Sequence, residues 1–414
     1  MEIISDLEIH SRFARACSTQ INIENLEKYA RIKGINLLGT ADFQHPLWNK
    51  EIKEKLTEDE NGILWTKTGF PFIWQTEISL MYSQDGKGRR IHFLIYSPNK
   101  GVSDQIIEAL SKKGRLDYDG RPIFGFSAIE LVDMMISISN DIEIIPAHVM
   151  TPWFGLYGSK SGFDSLKECF QDSVKHIHAI ETGMSADPKM LWRLDENVNL
   201  VSFSDMHSFW PWRIGRECTI FDTKLKYKDI LNAIRTGEGL KETIEVNPAY
   251  GKYHYDGHRN CNVSFSPKET RKLNGKCPVC KRSLTIGVQY RIDELAKKDE
   301  GYIPENSKLF KSLIPLSELI AAVYNYKQLF SKNVWSIYNK LISRFGNEFN
   351  ILLNTNEKDL LEIIDKKLVD VILLNREGKL KIKPGYDGVY GQIILDRKEI
   401  QTSYKKEQKS LEEF

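Results

Sequence analysis

The chain has 414 residues, 41% apolar and 28% charged, with a net charge of only +2. That length carries two or three domains with a full core in each, and the near-neutral balance excludes a protein that is basic all over, so a nucleic-acid partner must meet a local face. Six cysteines, three of them crowded between positions 261 and 280, do not make a secreted disulfide framework; they point to metal in a reducing, intracellular setting. The first residues run straight into a charged strand without a leader pattern, and no apolar run nears the roughly 18 residues of a membrane span, so a soluble, cytoplasmic protein is expected.

In chain order, alternation along Asp6-Leu7-Glu8-Ile9-His10 puts Asp6, Glu8 and His10 on one face of a strand and turns Leu7 and Ile9 into a core. Residues 25–32 carry helical apolar spacing, which Gly34 ends as a C-cap. The short apolar run 35–42 delivers Asp42 at its end, with His45 three residues on. Further runs repeat this pattern: 72–77 offers Glu77, 91–96 offers His92, 142–148 offers His148 and 178–181 offers Glu181, with a helix expected over 127–139. The run 201–207 ends in Asp205 and His207, side by side on one strand terminus. His176 and His178 lack such a setting and read as structural.

About seven strands precede residue 220. Alternating strands and helices predict a parallel sheet, and polar residues collected at the carboxyl ends of the strands predict a closed barrel with its site on that face. A single histidine in an apolar run is ordinarily a hydrogen-bonded core residue. What turns the balance is that His10, His92, His148 and His207 share this setting with Asp42, Glu77 and Asp205. Carboxylate with imidazole is a ligand set for zinc, manganese or iron. The chain has no nucleophile elbow, and the basic turn Gly86-Lys87-Gly88-Arg89 lacks the following GK[ST] of a phosphate cradle.

The order and context of these residues resemble the polymerase-and-histidinol-phosphatase (PHP) superfamily of metal-dependent phosphoesterases, whose (β/α)7 barrel holds up to three divalent metals. The resemblance implies an α/β fold with a PHP-type (β/α)7 barrel. It also implies a catalytic cluster of Glu8, His10, Asp42, His45, Glu77, His92, His148, Glu181, Asp205 and His207 holding two or three zinc, manganese or magnesium ions. Asp205, His207, His148 and Glu77 are its expected catalytic residues. The superfamily's first motif is His-x-His; here it is Glu8-x-His10, a departure that bears on occupancy and metal preference. Divalent ions so gathered lower the pKa of a water and neutralise phosphoryl charge, so no protein nucleophile is required.

Two loops that follow ligand strands, 151–155 and 209–216, are rich in aromatic and arginine residues. Trp153 and Trp212 either roof the fold or stack on unpaired bases, and Arg213 and Arg216 suit the gripping of phosphates. Further on, His258-x2-Cys261 and Cys277-x2-Cys280, fifteen residues apart, have the spacing of a Cys3His zinc ribbon, with Gly275 allowing the knuckle and His254 the less well spaced alternative ligand. Residues 251–290 hold eight Lys or Arg against two acids, an excess that exceeds the +2 of the whole chain. Such a coat is the footprint expected for a phosphate backbone, or else a solvated face.

Amphipathic spacing predicts helices over 317–330, 334–345 and 358–368. The glycine-rich turn 384–391 then leads into a strand at 392–395. Its glycines allow close approach to another surface, a base or a phosphate, unless it is a plain hairpin. The end of the chain, Gln408 to Phe414, has Gln-x-x-Leu-x-x-Phe spacing; it resembles a sliding-clamp-binding box without its second aromatic, and the alternative is a frayed tail.

This layout resembles the endonuclease Q family of DNA-repair enzymes, most distinctively at Asp6 to Ser11, His254 to Cys261 and Pro384 to Gly391. The resemblance implies nicking of double-stranded DNA 5′ to uracil, hypoxanthine, xanthine or an abasic site. The expected DNA contacts are Trp153, Trp212, Arg213, Arg216, Arg259, Lys272, Lys281, Arg282 and Tyr386. The expected division is a barrel at 1–225, a linker helix and zinc module at 226–300, a helical domain at 301–400 and a tail at 401–414. Competing readings are a PHP-superfamily small-molecule phosphatase or exonuclease, neither of which needs a basic zinc module, and a non-catalytic DNA-binding protein, which the Glu8 departure keeps open.

Overall fold

The structure, a computed structural model, describes residues 2–395, so the expected clamp-binding segment 408–414 lies outside the described residues. Its main strands are β1 (Glu2–Asp6), β2 (Leu37–Gly39), β3 (Pro71–Gln84), β4 (Lys87–Ser97), β5 (Glu143–Pro146), β6 (Ala179–Glu181), β7 (Asn199–Val201), β8 (Cys218–Asp222), β9 (Leu240–Glu245) and β10 (Leu309–Ser312), all in one central sheet except β6 and β7, which pair with each other in a two-stranded sheet beside it. The pairs β1–β2, β2–β3, β6–β7 and β9–β10 are parallel. The pairs β3–β4, β4–β5, β1–β8 and β8–β9 are antiparallel.

The fold is therefore α/β as expected, but the sheet is mixed. Asp85 and Gly86 both lie at positive φ, 52° and 73°, which is the two-residue turn that closes a hairpin. That turn joins β3 directly to β4 where a helical crossover is required for parallel strands. Between β5 and β6, and between β7 and β1, ladders are replaced by single contacts. Val149 N–H donates to Glu181 O at 3.0 Å, and His10 N–H donates to Met206 O at 3.3 Å beside a parallel bridge between Ile9 and Met206. Each of β1 to β8 still gives at least one buried side chain (Ile3, Leu37, Ile73, Leu94, Ile145, Ala179, Val201, Phe221) to a shared apolar cluster. The sheet runs on through β9 and β10, past residue 225, so hydrogen-bonded pairing crosses the expected end of the first domain.

Helices cover the outer apolar face. The helix Ile23–Lys33 buries Leu26 and Ala30 and ends at Gly34, whose φ of 100° only glycine adopts without strain. Ala128–Ile138 begins with a capping box between Ser127 and Glu130. In the C-terminal region the helices are Leu316–Tyr324, Lys332–Phe345, Glu348–Leu353, Glu357–Leu361 and Lys366–Arg376. The helix expected over 358–368 is split because Asp365 accepts a hydrogen bond from Leu368 N–H and caps a new helix. The one expected over 317–330 stops at Asn325, which takes the left-handed conformation. Among the described residues no helix is long and apolar enough to cross a membrane.

A buried ionic knot fastens the helical region to the sheet. Lys33 Nζ donates to Glu348 Oε1 at 2.7 Å and to Pro211 O at 2.8 Å, with both charged side chains almost wholly buried. Glu348 also accepts from Leu316 N–H and from the Tyr338 hydroxyl. Because every lone pair in use has a donor, the pair is satisfied; removing one member strands a buried charge. The substitution Lys33→Ala is expected to destabilise the protein by about 3–5 kcal/mol, read as a lowered urea midpoint, whereas the double change Lys33→Met with Glu348→Leu is expected to recover much of that loss.

Candidate metal centre

Glu77 and His92 project from the middle of β3 and β4 and not from the strand ends expected of them, whereas the other side chains follow strand ends and are aimed by backbone turns. Asp205, at φ 45°, and His148, at φ 31°, both leave their strands in the left-handed region, as does Ala41, at φ 61°, just before Asp42. Non-glycine residues held there cost of order 1–3 kcal/mol each, a strain the surrounding structure must hold in place. Asp6, buried at the end of β1, accepts from Ser204 N–H at 2.9 Å and from Gly215 N–H at 2.8 Å. It thereby ties the loop carrying Asp205 to β1, and it faces these backbone groups instead of joining Glu8 and His10 in the site.

Three sets of ligand atoms come together: His10 with Asp205 and His207; Glu77 with His92 and His148; and Glu8 with Glu77 and Asp205. His10 Nε2 lies 2.9 Å from Glu77 Oε2 and 3.1 Å from Asp205 Oδ1. Glu77 Oε1 lies 2.6 Å from His92 Nδ1 and 3.4 Å from His148 Nε2. Glu77 thus links the sets. Glu181 sits behind His148, accepting its backbone N–H at 2.5 Å, and faces Glu8.

Three expected ligands fall outside these groups: Glu181, placed behind His148, and Asp42 and His45. Asp42 takes up the outer nitrogen of His10, Nδ1, at 3.2 Å and accepts from Ser11 N–H at 2.7 Å, the carboxylate–histidine arrangement that orients a ligand. His45 stacks on Phe13 with centroids 4.3 Å apart and stands at the N-cap position of the helix Pro46–Lys55, its ring Nδ1 buried without a hydrogen-bond partner. Conversely, Arg121 was not legible: its Nη1 donates to Glu77 Oε2 at 3.0 Å from an irregular loop with no periodic signal. His178 pairs with Glu143 at 3.1 Å, away from the cluster.

Whether the cluster fits metal is decided by Glu8. Both its carboxylate oxygens are buried without a hydrogen-bond partner, as is Oε1 of Glu181. Burial first, and then the neighbouring charge of Glu181, pushes the Glu8 carboxyl well above its ordinary range. Burial opposes the charge of Asp205 too, yet His207 and the bond to His10 hold its carboxyl well below the ordinary range. Glu77 is likewise held down, by Arg121 and the histidines, against its burial. Acidic oxygens kept in one dry space with no donor are what a divalent cation satisfies. Glutamate at position 8 therefore keeps the site open to metal despite the departure from His-x-His.

The second metal group is complete as predicted: His258, Cys261, Cys277 and Cys280 gather their ligand atoms, with Cys280 Sγ 3.3 Å from His258 Nδ1. Burial opposes the Cys277 thiolate, but backbone N–H groups of Cys280 and Val279 aimed at its sulfur bring the thiol down to about 6. His254 stacks on Tyr255 and stays out of the group. Around the ligands Arg259, Lys272, Lys281 and Arg282 are exposed.

The glycine-rich loop packs its backbone against the chain itself. Gly385 N–H donates to Ala249 O and its carbonyl accepts from Tyr255 N–H, while Gly391 N–H donates to Tyr250 O. A Cβ at Gly385 would lie 2.1 Å from Gly251 O, which is why glycine is needed there. Tyr386 is buried, its ring close against Gly257 and its hydroxyl bonded to Asn262. Trp212 is also buried, stacked on Trp210 at 5.6 Å and packed in the helical core, where it anchors the loop 209–216. Arg216 Nε donates to Ser204 O at 2.9 Å, steadying the residue before Asp205. Trp153 alone of the two tryptophans stays open, 40% exposed and edge-on to Tyr253.

An endonuclease Q structure, holding a 27-mer duplex with an abasic lesion at its active site, aligns with a TM-score of 0.85 and 30% identity over 97% of this chain and 98% of that one. The chain belongs to the endonuclease Q family. The lesion-specific endonuclease Q of Pyrococcus furiosus aligns with a TM-score of 0.86 at 29% identity, over 97% of this chain and 98% of that one. A Methanocaldococcus jannaschii protein, MJ0043, is 33% identical over 303 residues, which are 70% of this chain and 36% of that protein. The chain thus matches only about a third of that relative's length. Bacillus subtilis YqxK is 28% identical over 379 residues, 87% of this chain and 89% of the relative. The family described as the MJ0043 C-terminal domain matches residues 315–379, within the helical region.

Replacing Glu8 by Gln removes one of two facing buried carboxyls. The metal-free protein is expected to gain stability, by about 1 kcal/mol or more, while its metal content falls; urea unfolding after chelation and elemental analysis read the two effects, and a metal content equal to that of the unaltered protein would refute the ligand role.

Proposed function

We propose that this chain is a metal-dependent DNA-repair endonuclease that hydrolyses the phosphodiester 5′ to a deaminated base or an abasic site in duplex DNA. The carrying observation is the coincidence of a buried carboxylate–imidazole cluster with an end-to-end match to endonuclease Q, one example of which holds an abasic duplex at its active site. Glu8, His10, Glu77, His92, His148, Glu181, Asp205 and His207 would hold two or three zinc, manganese or magnesium ions, and His258, Cys261, Cys277 and Cys280 a zinc ion. Bound cations of this kind lower the pKa of a water and neutralise charge on phosphoryl oxygens.

The chain's own residues supply placement. Asp42 fixes the ring of His10, Glu181 fixes the backbone of His148, and Asp6 fixes the turn into Asp205, so the ligands meet the substrate already oriented. The exposed cations of the zinc module support backbone contacts, and the open Trp153 supports stacking beside the site. A deaminated base is mispaired, so turning it out of the stack costs less than for a normal pair, by up to a few kcal/mol, which adds selectivity ahead of any pocket contact. A cytoplasmic location fits this work. The division into catalytic, zinc and helical parts belongs to the same proposal, with β9 and β10 assigned to the catalytic sheet.

Alanine at Asp205 or His207 is expected to lower cutting of uracil-containing and abasic duplexes by at least about 10²-fold while gel-shift affinity for the duplex persists; full activity of either variant would refute the assignment. Assays with manganese, magnesium and zinc in turn separate this reading from that of a non-catalytic DNA-binding protein. The Gln408 to Phe414 spacing supports docking to a sliding clamp, and deleting 408–414 is expected to weaken clamp affinity; unchanged affinity would remove the idea.

A further inference from the structure

Among the described residues Arg121 is the arginine that bonds directly to a carboxylate of the cluster, and its charge has so far been given no task. Arg121 Nη1 donates to Glu77 Oε2 at 3.0 Å, and the electrostatic pull on its guanidinium comes also from Asp205 and Asp42. An arginine cannot be discharged, so it competes with metal for the negative field and belongs in such a place only if its charge is used. Its side chain is 23% exposed while Glu77 is wholly buried, so the fork reaches from the dry cluster to the open side. Beyond the bond to Glu77, its remaining guanidinium N–H groups meet no acceptor among the described residues.

The loop that carries it is held rigidly. Arg121 N–H donates to Asp119 Oδ1 at 3.0 Å, Gly120 N–H donates to Phe13 O at 3.0 Å, and Gly120 O accepts from Gln44 Nε2 at 2.5 Å. A Cβ at Gly120 would stand 2.3 Å from Asp42 Oδ2, so glycine lets this loop press against the residue that orients His10. The guanidinium is therefore fixed relative to the ligands before any substrate arrives.

We propose that Arg121 is a catalytic residue: its free N–H groups bond a non-bridging oxygen of the scissile phosphate and hold the charge that grows there as the phosphorus is attacked. The inference rests on the nuclease reading and names the protein group that complements the metals. The planar fork matches phosphate geometry, and a preorganised donor aimed at developing charge acts on the rate more than on affinity. The rival role is structural, with Arg121 serving only to hold Glu77 in its posture.

The test uses the full chain, the variants Arg121→Ala and Arg121→Lys, and a duplex with one abasic site. Arg121→Ala is expected to lower kcat by about 10²-fold or more, with KM within about threefold and metal content equal to that of the unaltered protein. Millimolar guanidinium is expected to restore part of the rate of Arg121→Ala, and Arg121→Lys, which keeps the charge but loses the fork, to fall between. Loss confined to KM, loss of metal in step with activity, or no loss at all overturns the proposal. An unaltered protein that cuts neither an abasic nor a uracil duplex overturns the nuclease reading, and this inference with it.

Discussion

The Glu8 carboxylate has been put where water cannot reach it and where no protein donor answers it. Glu8 faces Glu181, Glu77 and Asp205 across a dry space with both its oxygens unpartnered. A carboxylate in that position either takes a proton or takes a cation, since leaving it charged and alone is far too costly to survive in a marginally stable fold. The metal-free arrangement is thus under electrostatic stress, and a divalent ion is the group that relieves it.

The remainder of the catalytic sheet holds that stress in place. Three chain segments turn through the left-handed region as they leave their strands, and Asp6 and Asp42 spend their lone pairs on backbone N–H groups and a ligand ring. These are interactions of geometry, and each lets an inner group keep its orientation without help from solvent. The loop after Asp205 continues the chain of support: Arg216 holds Ser204, and Trp212 buries itself in the helical core, so the site and the C-terminal region share one strut. The Lys33–Glu348 knot fastens the same two parts from the other side.

The zinc module follows a different logic. Its short strands and helix have little core of their own, so four ligands and the clamp of the 384–391 loop stand in for apolar burial. With the ligand group and the backbone contacts gathered inside, its surface carries charge, as the exposed lysines and arginines show. The glycines of the loop serve this joint, through backbone approach closer than any side chain permits.

Much of this was written in the order of residues. Alternation identified Glu8 and His10, expected strand ends identified Glu77, His148, Asp205 and His207, and Cys-x2-Cys with His-x2-Cys spacing identified the zinc group, because ligand chemistry and local periodicity are properties of short stretches. The Asp85-Gly86 turn was legible too, although the expectation of parallel strands passed over it. Tertiary structure alone decided which of the candidates share a space. It set Asp42 against the outer nitrogen of His10 and His45 against Phe13, buried Trp212 and Tyr386, and brought Arg121 to Glu77 from a loop without pattern. The physical reason is that a sequence fixes what a side chain can bind, whereas which atoms lie within a bond length of one another depends on strand order, on turns at positive φ and on contacts between residues distant in the chain.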